Sequence, residues 1–165
     1  MMRPVLAFAL MLALCLPAPS AQANINASSP EITQLLLDKS ERTLYLLNGR
    51  TAVRKYRVDL GTNPEGHKRF RGDGRTPEGL YYITHRNPNS NFFLSLGISY
   101  PNAADRAHAR RQGRDPGGDI FIHGRGARVQ NPPPDWTRGC AAVTDSEMAE
   151  IFDLVRPGTP IFIKP

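Results

Sequence analysis

Asn48-Gly49 separates two runs of alternating character, residues 42–48 (RTLYLLN) and residues 50–60 (RTAVRKYRVDL). Asparagine and glycine adopt left-handed backbone at least cost, and a two-residue hairpin between twisted strands requires that conformation. The two runs are therefore expected to pair antiparallel. A third run, residues 33–38 (TQLLLD), joins them across the turn-like gap Lys39-Ser40-Glu41. A chain opening on such a meander must bury one face of a sheet.

The remaining punctuation is consistent with a β-rich domain. Residues 61–79 (GTNPEGHKRFRGDGRTPEG) hold five glycines and two prolines, which predicts a long loop. Loops of that length in a small domain usually serve a function or move, and this one is a candidate to cover a site. Residues 80–85 (LYYITH) and 92–99 (FFLSLGIS) read as strands, and residues 102–111 (NAADRAHARR) as a short helix. Residues 119–123 (DIFIH) read as a strand placing Ile120 and Ile122 on one face, Phe121 and His123 on the other. Pro132-Pro133-Pro134 excludes helix. Thr144 with Glu147 forms a capping box ahead of Met148, Ile151, Phe152 and Val155, which recur at helical spacing until Arg156-Pro157-Gly158. Residues 160–164 (PIFIK) supply a closing strand. The expected fold is mainly β, a sandwich or barrel with one or two short helices, in a single domain without internal repeats.

The first residues read as a targeting segment. Arg3 precedes an apolar run over residues 5–16, which ends at Pro17, Pro19 and Ser20 and is followed by Ala21-Gln22-Ala23, a small-x-small cleavage signal. The expected division is a signal peptide over residues 1–23, a flexible leader over 24–30 and a catalytic-size domain over 31–165. A lipoprotein acylated at Cys15 is the rival reading, opposed by Leu14 where a small residue is expected. After cleavage no membrane span is expected, and the protein is placed in the periplasm or cell wall.

Composition narrows the partner. The formal net charge is +6. Basic residues are spread along the chain without the aromatic spacing of a base-stacking surface, and export also argues against nucleic acid. A wall polymer bearing carboxylates and phosphates suits that charge better.

Cysteine usage raises the chemical question. The sequence has two cysteines, and removal of residues 1–23 leaves Cys140 without an internal disulfide partner. It can be a reactive thiol, an intermolecular bridge or a small buried hydrophobe. His123, at a predicted strand end, is followed by Gly124, which lets backbone or substrate come close. An imidazole beside a thiol would take its proton and make a nucleophile, and spacing alone leaves open whether the two meet. Such activation predicts ionisation below the ordinary thiol value of about 8.5. Gly139 either makes a turn or, with Arg138 and Cys140, offers backbone N–H groups to a developing oxyanion.

The other candidates carry less. His67, His85 and His108 lack ligand spacing, so no metal and no cofactor are expected; the first two read as polar loop residues and the third as a helix-face residue. Tyr100 either lines a cleft or packs in the core. Trp136 is expected to pack. Residues 71–73 (RGD) read as chance within a glycine-rich loop, and the GTNPEG stretch lacks the Lys-Ser/Thr of a phosphate loop.

Taken together, Ile122-His123-Gly124 and Thr137-Arg138-Gly139-Cys140 resemble the L,D-transpeptidase catalytic (YkuD-type) domain, whose pattern is His-Gly, a spacer, then Ser/Thr-His-Gly-Cys. Residues 76–83 (TPEGLYYI) and the opening meander are similar to that family's other segments, so the resemblance runs from about Glu31 to Pro165. It implies Cys140 as nucleophile, His123 as proton acceptor and donor, Arg138 and Gly139 as backbone donors, and Gly124, Thr137 and Tyr100 along the substrate. It also implies peptidoglycan stem peptides as partners, a thioester intermediate, loss of D-alanine, and no metal. Arg138 stands where the family usually has a second histidine, and Ala142 where many members have Asn or Arg. These departures resemble a divergent subgroup, some members of which hydrolyse a bond to peptidoglycan. The alternatives to a cross-linking acyltransferase are therefore a thiol hydrolase or a non-catalytic wall-binding module.

Overall fold

The computed structural model describes residues 29–127 and 129–165. The signal-peptide reading, with Cys15, lies outside them, as does most of the leader. Ten elements follow in order: β1 (Gln34–Asp38), β2 (Thr43–Asn48), β3 (Thr51–Arg57), β4 (Gly79–Ser90), β5 (Phe93–Ile98), α1 (Ala103–Arg111), β6 (Phe121–His123), β7 (Ala141–Ala142), α2 (Asp145–Leu154) and β8 (Pro160–Lys164). The strands form one sheet in the order β3-β2-β1-β8-β4-β5-β6-β7.

The hairpin expected at Asn48-Gly49 forms, with Asn48 paired to Thr51, and Gly49 at φ 57°. The sheet then bends back on itself. Beyond β3 the chain continues to Asp59, whose N–H and C=O both bond Ala142 at 2.8 Å, so the two ends of the strand order meet. The contact is made by isolated bridges at Asp59 and Gly61, beyond β3, so the expected strand over residues 50–60 splits into β3 and a bridge.

Two strands depart from expectation. β4 runs on to Ser90 through Pro88, with irregular pairing to β5 on either side of residues 86–87, so residues 86–90 are strand and His85 is not in a loop. Bulges tolerate proline, and that tolerance hid this extension. β7 consists of two alanines, which carry no period-2 signal.

Burial alternates along the strands. Leu35, Leu37, Leu44, Leu46, Tyr81, Ile83, Ile161 and Ile163 form the core with Met148 and Ile151 of α2. Leu80, Tyr82 and Phe162 face outward. Both helices begin with capping boxes: Thr144 with Glu147, as read from the sequence, and Asn102 with Asp105. Among the described residues no helix is long and apolar enough to cross a membrane.

Side chains tie down the long loop over residues 61–79. Asp73 accepts the backbone N–H groups of Arg69, Phe70 and Arg75 and the Lys68 ammonium. Residues 71–73 are thus structural: Arg71 pairs with Asp115, and Asp73 organises the turn. His67 is a joint as well. Its Nε2–H donates to buried Asp105 at 2.9 Å, and its Nδ1 accepts the Glu78 N–H at 2.8 Å, fastening the loop to α1. Asp105 also accepts from the Tyr81 hydroxyl at 2.9 Å.

Candidate active site

The short ladder between β6 and β7 brings the two candidate residues together. It is parallel, with Ile122 opposite Ala141 and His123 opposite Ala142. Facing residues in a ladder project to the same side, so Ile122 and Ala141 point into the core, where both are fully buried. Cys140 immediately precedes β7, and extending the register by one residue places it on the opposite face with His123, one diagonal step away. From strand spacing and rise, that step puts their Cα atoms about 8 Å apart, within reach of the two side chains. Both residues line one cavity of about 340 Å³.

The loop before Cys140 is shaped by its own sequence. Thr137 is buried; its hydroxyl donates to the Cys140 carbonyl at 2.8 Å and accepts the Gly139 N–H at 3.1 Å. Gly139 has φ 127°, and a Cβ there would lie 2.5 Å from the Arg75 carbonyl oxygen. Only glycine fits both constraints. Of the backbone N–H groups expected to be available at Arg138, Gly139 and Cys140, that of Gly139 is engaged by Thr137.

Preceding residues anchor the loop. Asp135 receives a forked pair of hydrogen bonds from Arg42 Nε and Nη2, at 3.0 and 2.8 Å, and accepts the Leu60 N–H at 2.9 Å. Burial opposes ionisation of Asp135, but these donors hold its carboxyl below the usual carboxylate range.

On the histidine side, β5 holds β6 with Ser95 opposite His123. The His123 Nδ1–H donates to the Gly124 carbonyl at 2.6 Å, which leaves the Nε2 lone pair free. Phe92 tilts over the imidazole at 4.6 Å between ring centroids, and Trp136 meets it edge-on at 5.7 Å. Burial among these rings holds His123 below the ordinary histidine value, outweighing the Gly124 bond. The Trp136 indole N–H is buried without a partner among the described residues. A Cβ on Gly124 would fall 2.5 Å from Asp145 Oδ1 and 2.9 Å from the Phe92 carbonyl, so a larger residue would not fit between them. Asp145 Oδ1 in turn accepts the Arg125 and Gly126 N–H groups at 2.6 and 3.0 Å.

Cys140 is half-buried by area, yet protein atoms crowd its sulfur. That desolvation pushes the thiol up to about 11, against the opposing effects of the Phe121 N–H and the Lys68 charge. The S–H donates to the Asp119 carbonyl at 3.6 Å. His123 is thus held low and Cys140 held high, directions that favour the neutral imidazole and the neutral thiol. This reverses the expected low-pH ionisation of the thiol, because burial of the sulfur outweighs the charges near it.

The other candidates separate. Tyr100 is 5% exposed, its hydroxyl donates to the Pro116 carbonyl at 2.9 Å, and its ring meets Tyr81 and His67. It belongs to the core and lines neither cavity at Cys140. Arg138 is exposed and lines a second cavity with Cys140. His108 sits on α1 against Phe70. Sequence reading passed over Phe92, Lys68 and Asp119, whose roles depend on long-range folding that leaves no local pattern.

The fold and this arrangement define a class, and the comparisons agree. Residues 33–163 match the YkuD family model, the L,D-transpeptidase catalytic domain, and the chain belongs to that family. YafK of Escherichia coli (strain K12), which bears the same family name, is 28% identical over 141 residues, covering 83% of this chain and 51% of YafK. The chain thus spans about half the length of the curated relatives it matches. Among solved structures, the helical cell shape determining protein Pgp2 from Campylobacter jejuni is similar, with a TM-score of 0.66 and 22% identity over 81% of this chain and 48% of that one. Bd1075 of Bdellovibrio bacteriovorus gives a TM-score of 0.58 at 28% identity, over 81% and 48% of the two chains. The Pgp2 likeness carries the fold alone.

Proposed function

We propose that this chain is an exported cysteine acyltransferase acting on peptidoglycan stem peptides. The observation that carries the reading is that His123, on β6, and Cys140, the residue before β7, line one cavity. Family membership supplies the reaction class. The His123 Nε2 lone pair takes the thiol proton as Sγ attacks the carbonyl carbon of the residue preceding a terminal D-alanine. The new S–C bond gives a tetrahedral oxyanion, for which the Arg138 and Cys140 N–H groups are the donors not directed to Thr137. The C–N bond then breaks, the protonated imidazole returns its proton to the leaving nitrogen, and a thioester remains. Water or an amine from a neighbouring stem resolves the thioester, with His123 as base again.

The neutral resting pair suits this order of events. The proton leaves sulfur only as the nucleophile engages, so no thiolate has to persist in the desolvated site.

Hydrolysis is the second reading, favoured by the cationic cavity beside the sulfur. Lys68, Arg71 and Arg138 line it, and such a wall repels an ammonium acceptor from that side. Mass spectrometry of tetrapeptide stems incubated with the protein, with and without an acceptor amine, tests both. Consumption only with the amine supports transfer, and consumption without it supports hydrolysis. An unimpaired Cys140→Ala variant would remove both.

A further inference from the structure

The sulfur of Cys140 lies between two cavities of unlike chemistry. The one shared with His123 is lined by the amides of Asn87, Asn89 and Asn91 on the β4–β5 hairpin. The other, of about 620 Å³, reaches under the glycine-rich loop and is lined by Lys68, Arg71 and Arg138. Asp119 is its only carboxylate among the described lining residues. Three cations against one anion, at the nucleophile and partly walled by backbone, make a place for a negative group.

The cations differ in availability. Arg71 is already engaged with Asp115 at 2.6 Å. Lys68 is 3% exposed and gives two N–H groups to Asp73 Oδ1 and the Phe70 carbonyl, leaving one of its three donors. Arg138 is exposed and has no ion pair among the described residues. A planar guanidinium with free donors, next to a fixed ammonium, suits a carboxylate held in two directions.

We propose that this cavity binds the free carboxylate of the leaving residue, with Arg138, assisted by Lys68, setting a preference for a free over a capped C-terminus. The inference rests on the acyl-transfer reading for its reaction and deepens it by assigning the leaving-group side.

The test compares a tetrapeptide ending in D-alanine with the same peptide ending in D-alaninamide. In the wild type, kcat/KM for the acid should exceed that for the amide by ~10–100-fold, the span expected for one or two charge-assisted hydrogen bonds. In Arg138→Ala that ratio should fall by about tenfold, and Arg138→Lys should recover part of it. Because Lys68→Met would remove the ammonium that pairs with half-buried Asp73 in the loop, Arg138→Ala, at an exposed position, is the decisive variant. Equal turnover of both peptides by the wild type, or a ratio unchanged in Arg138→Ala, overturns the inference and leaves acyl transfer standing. Calorimetry on the Cys140→Ala protein separates the two claims. Tighter binding of the acid with no wild-type turnover would sink the reaction and keep the carboxylate site, whereas equal binding of acid and amide would sink the site.

Discussion

The Thr137 hydroxyl donates to the carbonyl oxygen of Cys140 at 2.8 Å while receiving the N–H of Gly139 at 3.1 Å. One small side chain thereby sets the turn that carries the sulfur, from a position where it is shielded from water. Serine could make the same bonds. Thr137→Ser should therefore retain most activity, and Thr137→Val, which keeps the shape but loses both bonds, should lower the melting temperature and kcat together.

The proposed pair can be tested directly. Cys140→Ala should abolish D-alanine release, and His123→Ala should lower kcat by ~10²–10⁴-fold, the usual range for a general base. Far-UV circular dichroism and the melting curve should stay close to wild type for Cys140→Ala. A histidine variant with undiminished kcat would remove the imidazole from the mechanism.

Titration should show the two groups moved apart. Burial holds His123 below about 6.5 and the Cys140 thiol near 11. Alkylation by iodoacetamide should keep rising with pH past the ordinary thiol range instead of levelling near 9. The kcat/KM profile should lose activity on the acid side only below about 6.5, where the imidazole takes a proton. Stability has the same sign: the unfolded chain binds that proton more readily than the fold, so the contribution of neutral His123 is present above the unfolded value and lost as pH falls below it. Phe92→Ala, which opens the ring stack to water, should raise the His123 value measured by NMR.

Gly139→Ala meets both a backbone and a space constraint, at φ 127° with 2.5 Å to the Arg75 carbonyl. It should destabilise the protein by more than ~2 kcal/mol, read from urea unfolding. A neutral result would mean the turn adopts another conformation.

The Arg42–Asp135 fork links the first hairpin to the loop before the cysteine. Asp135→Asn should cost about 1.5–3 kcal/mol at pH 7, the range for hydrogen bonds to a charged group. The carboxyl is held low in the fold, so its stabilisation is present above about 3.9, the unfolded value, and is lost as pH falls through the lower folded value. The difference between variant and wild type should shrink over that interval in acid denaturation curves.

Much of this protein was legible before folding. Asn48-Gly49 announced its hairpin, Thr144 and Glu147 their capping box, and residues 160–164 their strand, because each signal is contained in a few consecutive residues. The His-Gly and Thr-x-Gly-Cys segments pointed to the family that residues 33–163 match. Other features resisted. A two-residue strand of alanines has no periodicity to read, and β4 continues past the expected residues 80–85 through Pro88 to Ser90. Tyr100 offered the same residue type to a cleft and a core, and only its neighbours distinguish them.

By itself, then, the order of residues determined the local pieces and singled out the proposed reacting groups, since backbone preference and side-chain chemistry are properties of short segments. Tertiary structure alone decided how those groups behave. Burial over residues distant in the chain, Phe92 against His123 and the protein packed around Cys140, set the direction of both proton equilibria. The closure of Asp59 onto Ala142 brought the long loop beneath the sulfur. Desolvation and electric field depend on everything nearby in space, and sequence distance carries no record of that.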